Sequence, residues 1–313
     1  MHNSVIKVSN AIKYYDGNRA VNGIDLDVRE GEVYGLIGHN GAGKSTLIKI
    51  MLGLIKPDSG EVLIMGRPAR GEGFRDVRRS IGYLPENIFF YPNLSGLETM
   101  QFFAGLKGAD PKSCTMLLEK VGLSDAARRQ VRGYSRGMCQ RLGFAQALLG
   151  DPRILFLDEP TAGLDPGGVR RFYDILAELK LDDVTMVLSS HNLAEIQNRV
   201  DRLALMRLGN LQAAGTVQDL HDALTLPVQV RLSFSAEGET AVRTSLSAFP
   251  DCALKLNGTE GSIECARAQK MEILTALMAL PEVVDIHIRE PSLEDVYLGY
   301  AENSNHGNNH AQN

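Results

Sequence analysis

The stretch GHNGAGKST, Gly38 to Thr46, constrains this chain more than any other. It fits G-x-x-x-x-G-K-[ST] and lies between the apolar run VYGLI, read as a buried strand, and STLIKIMLGL, read as a helix. That helix carries Leu47, Ile48, Met51, Leu52 and Leu54 at helical spacing and ends before Pro57. Strand, glycine-rich turn and helix in that order make a phosphate cradle. The glycines let backbone N–H groups curl around phosphate oxygens, and the helix start adds positive potential. Lys44 reaches toward β- and γ-phosphates, and the Ser45 hydroxyl suits Mg²⁺. A glycine-rich turn with a chance lysine would read the same in isolation; the flanking strand and helix argue against it. The expected phosphate-binding loop is Gly38, His39, Asn40, Gly41, Ala42, Gly43, Lys44, Ser45 and Thr46.

A second acidic motif narrows the chemistry. ILFLDEP places Asp158 and Glu159 at the carboxyl end of a four-residue apolar run, where parallel sheets bind their ligands. Asp158 suits Mg²⁺, and Glu159 can polarise an attacking water. A helix from about Gly167 to Leu179, a strand VTMVLSS and a helix starting near Asn192 continue the alternation. The fold class expected is α/β, a parallel P-loop sheet covered on both faces, and the loop by itself leaves kinases, GTPases and motor ATPases open. Residues 4 to 37 read as several short strands, residues from about Pro85 to Ala127 as helical and turn-broken without a strong strand. IGYLPENIFFYP, residues 81 to 92, reads as neither helix nor strand, because two prolines interrupt it and its aromatics do not alternate.

After about residue 218 the pattern changes. QVRLSFS alternates as a strand, GETAVRTSLSAF reads as a helix, CALKLNGTEGSIECA as a hairpin, QKMEILTALMAL as a helix and VVDIHI as a strand. The order βαββαβ predicts a ferredoxin-like accessory domain. The expected domains are 1–218, with a helical subdomain at about 85–150, and 219–300; the polar segment 301–313 is expected to be disordered.

Composition removes several functional classes. A chain of 313 residues with 44% hydrophobic and 23% charged content is globular, and its net charge of −5 argues against coating nucleic acid. Cys114, Cys139, Cys252 and Cys265 show no CxxC pattern, so reduced thiols are expected. No apolar run approaches the roughly 18 to 20 residues of a membrane span. Work at a membrane would need a partner that supplies the span.

From Tyr134, YSRGMCQRLGFAQALLGDP resembles the signature motif of the ATP-binding-cassette (ABC) family, and further family motifs follow in order across residues 15 to 191. The resemblance implies an ABC-type ATPase domain with a helical subdomain and MgATP as the ligand. It implies Tyr15 stacked on adenine, Glu86 in the metal-sensing loop with Ser45 and Asp158, Glu159 activating water and His191 facing the γ-phosphate. Asp165 would belong to a loop crossing between subunits. Ser135, Arg136, Gly137 and Met138 would complete the site across a homodimer that sandwiches ATP. A dimer of membrane permease subunits would hold the pair at the cytoplasmic face of the cell membrane.

Four positions depart from the family pattern, one of them His39, which stands where proline is common in the phosphate loop. Arg136 stands where glycine is usual and either contacts phosphate or points to solvent. Met138 replaces glutamine. Glu86 replaces glutamine and brings a charge that either strengthens metal binding or repels the γ-phosphate. GYLPEN and the terminal PSLEDVY resemble exporters of drugs, sodium and polysaccharides. A closer likeness is to the cassette ATPases that serve copper-centre maturation of nitrous oxide reductase with a permease and a periplasmic partner. An export ATPase is the alternative; cassette ATPases acting on DNA or ribosomes carry coiled-coil insertions or a second cassette, which this sequence lacks. Cys252 and Cys265 fall on the same face of the expected hairpin, suited either to core packing or, as two thiolates, to Cu(I). His306 and His310 lie in the polar tail.

Overall fold

The computed structural model describes residues 4–223, 226–291 and 294–295. The expected disorder of 301–313, both tail histidines and most of PSLEDVY lie outside them. The chain divides into two compact units, Met1–Thr216 and Val217–Asn313.

The first unit begins with two long strands, β1 (Ser4–Tyr15) and β2 (Asn18–Arg29), followed by β3 (Val33–Ile37) and α1 (Lys44–Met51). Then come β4 (Ser59–Ile64), β5 (Arg67–Pro68), α2 (Phe74–Arg79) and β6 (Ile81–Leu84). Helices α3 (Gly96–Lys107), α4 (Ser113–Lys120) and α5 (Arg136–Ala147) precede β7 (Ile154–Asp158). The remainder is α6 (Pro166–Leu181), β8 (Thr185–Ser190), α7 (Leu193–Ile196), β9 (Arg202–Arg207) and β10 (Asn210–Gly215).

Six strands form one sheet in the order β10-β9-β3-β8-β7-β6, parallel except at β10, which runs antiparallel to β9. Every residue of β3, β7 and β8 is buried, as expected of strands covered on both faces. Beside them, β2-β1-β4-β5 make a separate antiparallel sheet. Ile6, Val21 and Ile64 from that sheet and Leu36, Leu47 and Met51 from the parallel half share one core.

Two expectations need correction. The amino-terminal segment is not several short strands but one ribbon of two 12-residue strands. Register shifts between Val8 and Ala11 and between Ala11 and Tyr14 break its alternation and disguise its length. IGYL, the start of 81–92, is a parallel strand, β6, pairing residue for residue with β7 up to Leu84–Leu157. A strand buried from both sides need not alternate, and Pro85 ends it rather than preventing it.

Helix α3 begins with a reciprocal cap. Ser95 accepts from the Glu98 N–H at 3.2 Å, while the Glu98 carboxylate accepts from the Ser95 N–H at 2.8 Å.

The second unit comprises α8 (Val217–Ala223), β11 (Val228–Phe234), α9 (Glu239–Leu246), β12 (Ala253–Asn257), β13 (Glu260–Cys265), α10 (Lys270–Met278) and β14 (Val283–Arg289). Its sheet, β12-β13-β11-β14, is antiparallel throughout, the ferredoxin-like order. Val230, Leu232, Val242, Ile263, Ile273 and Leu277 form its core. The hairpin register pairs Ala253 with Glu264, so one step further sets Cys252 opposite Cys265. Both thiols pack with this core, and burial raises both their pKa values, which opposes thiolate formation. That environment favours cysteine as a small hydrophobe.

Candidate active site

Strands β3, β8 and β7 are adjacent and parallel, so their carboxyl ends open onto one side of the sheet. The loop after β3, Asp158 and Glu159 at the end of β7, and His191 just beyond β8 therefore meet there. Two glycines in the loop are sterically required. At Gly43, φ is +101°, and a Cβ would sit 2.3 Å from the Ala20 carbonyl oxygen. At Gly38 it would sit 2.3 Å from that of Met206. Glycine lets the loop wind tightly enough to present its N–H groups from the start of α1.

Lys44 is buried, with its Nζ donating to the Gly38 carbonyl at 2.5 Å and the His39 carbonyl at 3.4 Å. The same ammonium lies 3.3 Å from Glu159 Oε1. Glu159 Oε2 lies 2.7 Å from His191 Nδ1. The carboxylate is thus held from two sides. Its Oε1 is buried at ion-pair distance from Lys44 but accepts no hydrogen bond. An ionised oxygen in that position retains lone pairs for a water or substrate proton.

Asp158 anchors the second half of the site. Its Oδ1 accepts from Ser45 Oγ at 3.0 Å and from Ser189 Oγ at 2.6 Å. Ser189 Oγ in turn accepts from the Glu159 N–H at 2.9 Å. Ser189 is fully buried, so one hydroxyl fixes both acids. Glu159 has φ of +48°, a conformation non-glycine residues adopt at a cost of order 1–3 kcal/mol. Gln140 of α5 holds the following turn through a donation to the Pro160 carbonyl at 2.8 Å. Neither Ser189 nor Gln140 was singled out in the sequence. The available signals were a serine pair directly before His191 and an amide within the first two turns of the helix that Ser135 begins.

This donor set suits Mg²⁺ arriving with a polyphosphate. Ser45 and Asp158 offer one hydroxyl and one carboxylate, hard oxygen donors that leave positions for phosphate oxygens and water. Among the described residues no cluster of three or more His, Cys, Asp or Glu side chains makes a metal cage. The glycine-lined loop, Lys44 and the α1 N-terminus supply the matching positive face.

Other expected residues lie apart. Tyr15 is exposed at the end of β1, with Lys13 Nζ 5.6 Å from its ring centre. Glu86 is exposed in the loop after β6 and bonds to neither Ser45 nor Asp158. Its charge is felt by Tyr83, whose hydroxyl is pushed up to about 12 by burial first and then by Asp158 and Glu86. Ser135 caps α5 by accepting from the Met138 N–H at 3.2 Å. Asp165 caps α6 by accepting from the Gly168 N–H at 2.9 Å. The side chain of Arg136 lies across Gly163, with its Cδ 2.8 Å from where a Cβ would stand, so the start of α5 touches the loop leading to Asp165. Neither Ser135 nor Arg136 shares a hydrogen bond or ion pair with the phosphate loop inside this chain.

A profile for the family described as ABC transporter matches residues 21–162. The chain is similar to the uncharacterized ABC transporter ATP-binding protein YhcH of Bacillus subtilis, 36% identical across 94% of this chain and 95% of that protein. It is 31% identical to the daunorubicin resistance ATP-binding protein DrrA3 of Streptomyces coeruleorubidus, across 95% of this chain and 96% of that one. The uncharacterized ABC transporter ATP-binding protein all4389 of Nostoc sp. is 42% identical over 64% of this chain, which spans 61% of that protein's length. Among solved structures, the dimeric post-hydrolysis state of the ATP-binding cassette MJ0796 bound to ADP and Pi is 27% identical with a TM-score of 0.64. That match covers 68% of this chain and 98% of that one.

Proposed function

The chain belongs to the ABC transporter ATP-binding protein family, an ATPase family that uses MgATP, and on that premise we propose how its residues divide the work. The observation that carries the reading is the Lys44–Glu159–His191 cluster, in which one Glu159 oxygen is buried without a hydrogen bond.

Asn40 to Thr46 bind the phosphates, and Lys44 turns from its carbonyl partners toward the β- and γ-phosphates. Tyr15 stacks on adenine. Ser45 and Asp158 ligate Mg²⁺ with Glu86 alongside, and the ion supplies charge neutralisation on the phosphate oxygens. Glu159 accepts a proton from the water whose oxygen bonds to the γ-phosphorus as the bond to the ADP oxygen breaks, so ATP and water become ADP and phosphate. His191 orients Glu159 and faces the γ-phosphate. Ser135 to Met138 and Asp165 act across a homodimer. That Ser135 and Arg136 make no hydrogen bond or ion pair with the phosphate loop inside one chain supports that reading, as does the dimeric state named for MJ0796.

Among the described residues no helix is long and apolar enough to cross a membrane, so a permease dimer would provide the path and the peripheral location. The exposed Phe89 and Tyr91 beyond Glu86 form its docking surface. For the client system, GYLPENIFFYPNLSGLETMQFFAGLKG and the accessory domain support a NosF-like role. In that role a NosY-like permease and a NosD-like periplasmic partner mature the copper centres of nitrous oxide reductase. Likeness to DrrA3 along nearly the whole chain favours a second reading, an export ATPase. Deleting the gene in its host separates them. Loss of copper-centre absorbance in nitrous oxide reductase supports the first, and drug sensitivity with intact copper centres supports the second. Purified complex that releases no phosphate from MgATP overturns the catalytic reading.

A further inference from the structure

The side chain of His191 is more than half exposed, 57% by area, so packing does not fix its ring. Besides its contact with Glu159 at 2.7 Å, the ring takes its position from the backbone between β8 and α7. Ser190 Oγ accepts from the Asn192 N–H at 2.9 Å, and Asn192 Oδ1 accepts from the Glu195 N–H at 3.2 Å, capping α7. That helix is a single turn of four residues, Leu193–Ile196, too short to be stable by its own hydrogen bonds. Tertiary contacts must hold it: Leu193 and Ile196 are buried, and two further contacts converge on one residue of α6. Tyr173 donates its hydroxyl to Glu195 Oε1 at 2.9 Å. The Arg199 guanidinium, just beyond α7, lies 4.7 Å from the centre of the Tyr173 ring. The ring itself is buried and packs edge-on against Phe172 at 5.3 Å.

We propose that Tyr173 is a positioning residue for the hydrolytic site: it clamps α7 through Glu195 and Arg199 and so sets where His191 presents its ring to Glu159. The inference rests on the reading of His191 given above. Tyr173 cannot touch nucleotide through this contact; it acts only through α7. Because Asp165 caps the start of α6, the clamp also refers His191 to the helix that follows the crossing loop. A shift of that helix would be felt at His191 without any contact between the two side chains.

Tyr173→Phe in the full chain removes the hydroxyl and keeps the ring under Arg199. The expected result is a fall in kcat of about ten- to a hundredfold, the range for misplacing a group near the chemistry, with KM for MgATP within about twofold. Glu195→Gln, which keeps an acceptor, retains more activity than Glu195→Ala. The deciding measurement is a cycle with His191→Ala. In that background Tyr173→Phe should add no further loss, since the residue it positions is gone. A structural role would lower the active fraction equally in both backgrounds, and additive losses overturn the proposal. So does a Tyr173→Phe variant at the unaltered kcat. A His191→Ala variant with full activity overturns the reading of His191 itself, whereas a slow His191→Ala with additive Tyr173→Phe overturns only the clamp.

Discussion

Glu159 Oε2 stands 2.7 Å from His191 Nδ1, a contact made between the ends of two neighbouring parallel strands. The other oxygen of the same carboxylate lies 3.3 Å from Lys44 Nζ. Lys44 and His191, widely separated in the chain, therefore share one acid.

Lys44→Ala should abolish nucleotide binding and also weaken the nucleotide-free fold. It leaves the buried Glu159 carboxylate without its cation, a change that costs about 3–5 kcal/mol when a buried ion pair loses one partner. Adding Glu159→Gln to Lys44→Ala should restore most of that stability without restoring binding. Denaturant unfolding of both variants, beside fluorescent nucleotide titration, checks the two halves separately. Equal stability of the single and double variants would contradict the pairing.

Ser95→Ala should lower stability by about 1 kcal/mol, the usual cost of losing a capping side chain. The reciprocal bonds from Ser95 hold the Glu98 carboxyl below its ordinary range. A folded pKa lower than the unfolded one gives stability that is complete above the ordinary glutamate range and disappears as pH falls through the lowered value. The destabilisation by Ser95→Ala should accordingly be larger at neutral pH than at strongly acid pH, as followed by thermal unfolding across pH.

Phe89→Asp and Phe90→Asp should behave differently although the residues are adjacent. Phe89 is 88% exposed, so its replacement should leave unfolding within about 0.5 kcal/mol and weaken association with the permease. Phe90 is half-buried with its ring 6.1 Å from Phe103 on α3, and its replacement should destabilise the fold. Co-purification with the permease and calorimetry of the isolated chain distinguish the two. Undiminished permease binding by Phe89→Asp would rule this loop out as the docking surface.

How much of this was legible depended on where each residue stands relative to a strand end. Lys44, Asp158, Glu159 and His191 each follow an apolar run that reads as a buried strand, and one parallel sheet brings such ends together. The βαββαβ order was legible because β11, β12 and β13 alternate cleanly between core and solvent. Strand β6 was not, because it is four residues long, lacks alternation and stops at a proline. The β1–β2 ribbon was obscured by its own register shifts. Ser189 and Gln140 act from buried positions, and only the packed structure shows that their polar atoms reach the turn at Glu159. Arg136 was readable as a departure, but its position across Gly163 depends on a contact between α5 and a distant loop.

The measurement that tests the central claim most directly is the mass of the Glu159→Gln variant, by light scattering, with and without MgATP. Replacing the carboxylate by an amide preserves the shape of the site and removes the proton acceptor. The account predicts a monomer without nucleotide and a stable dimer holding two unhydrolysed ATP molecules when MgATP is present. A variant that stays monomeric with MgATP bound, or that hydrolyses ATP at the unaltered rate, would contradict it.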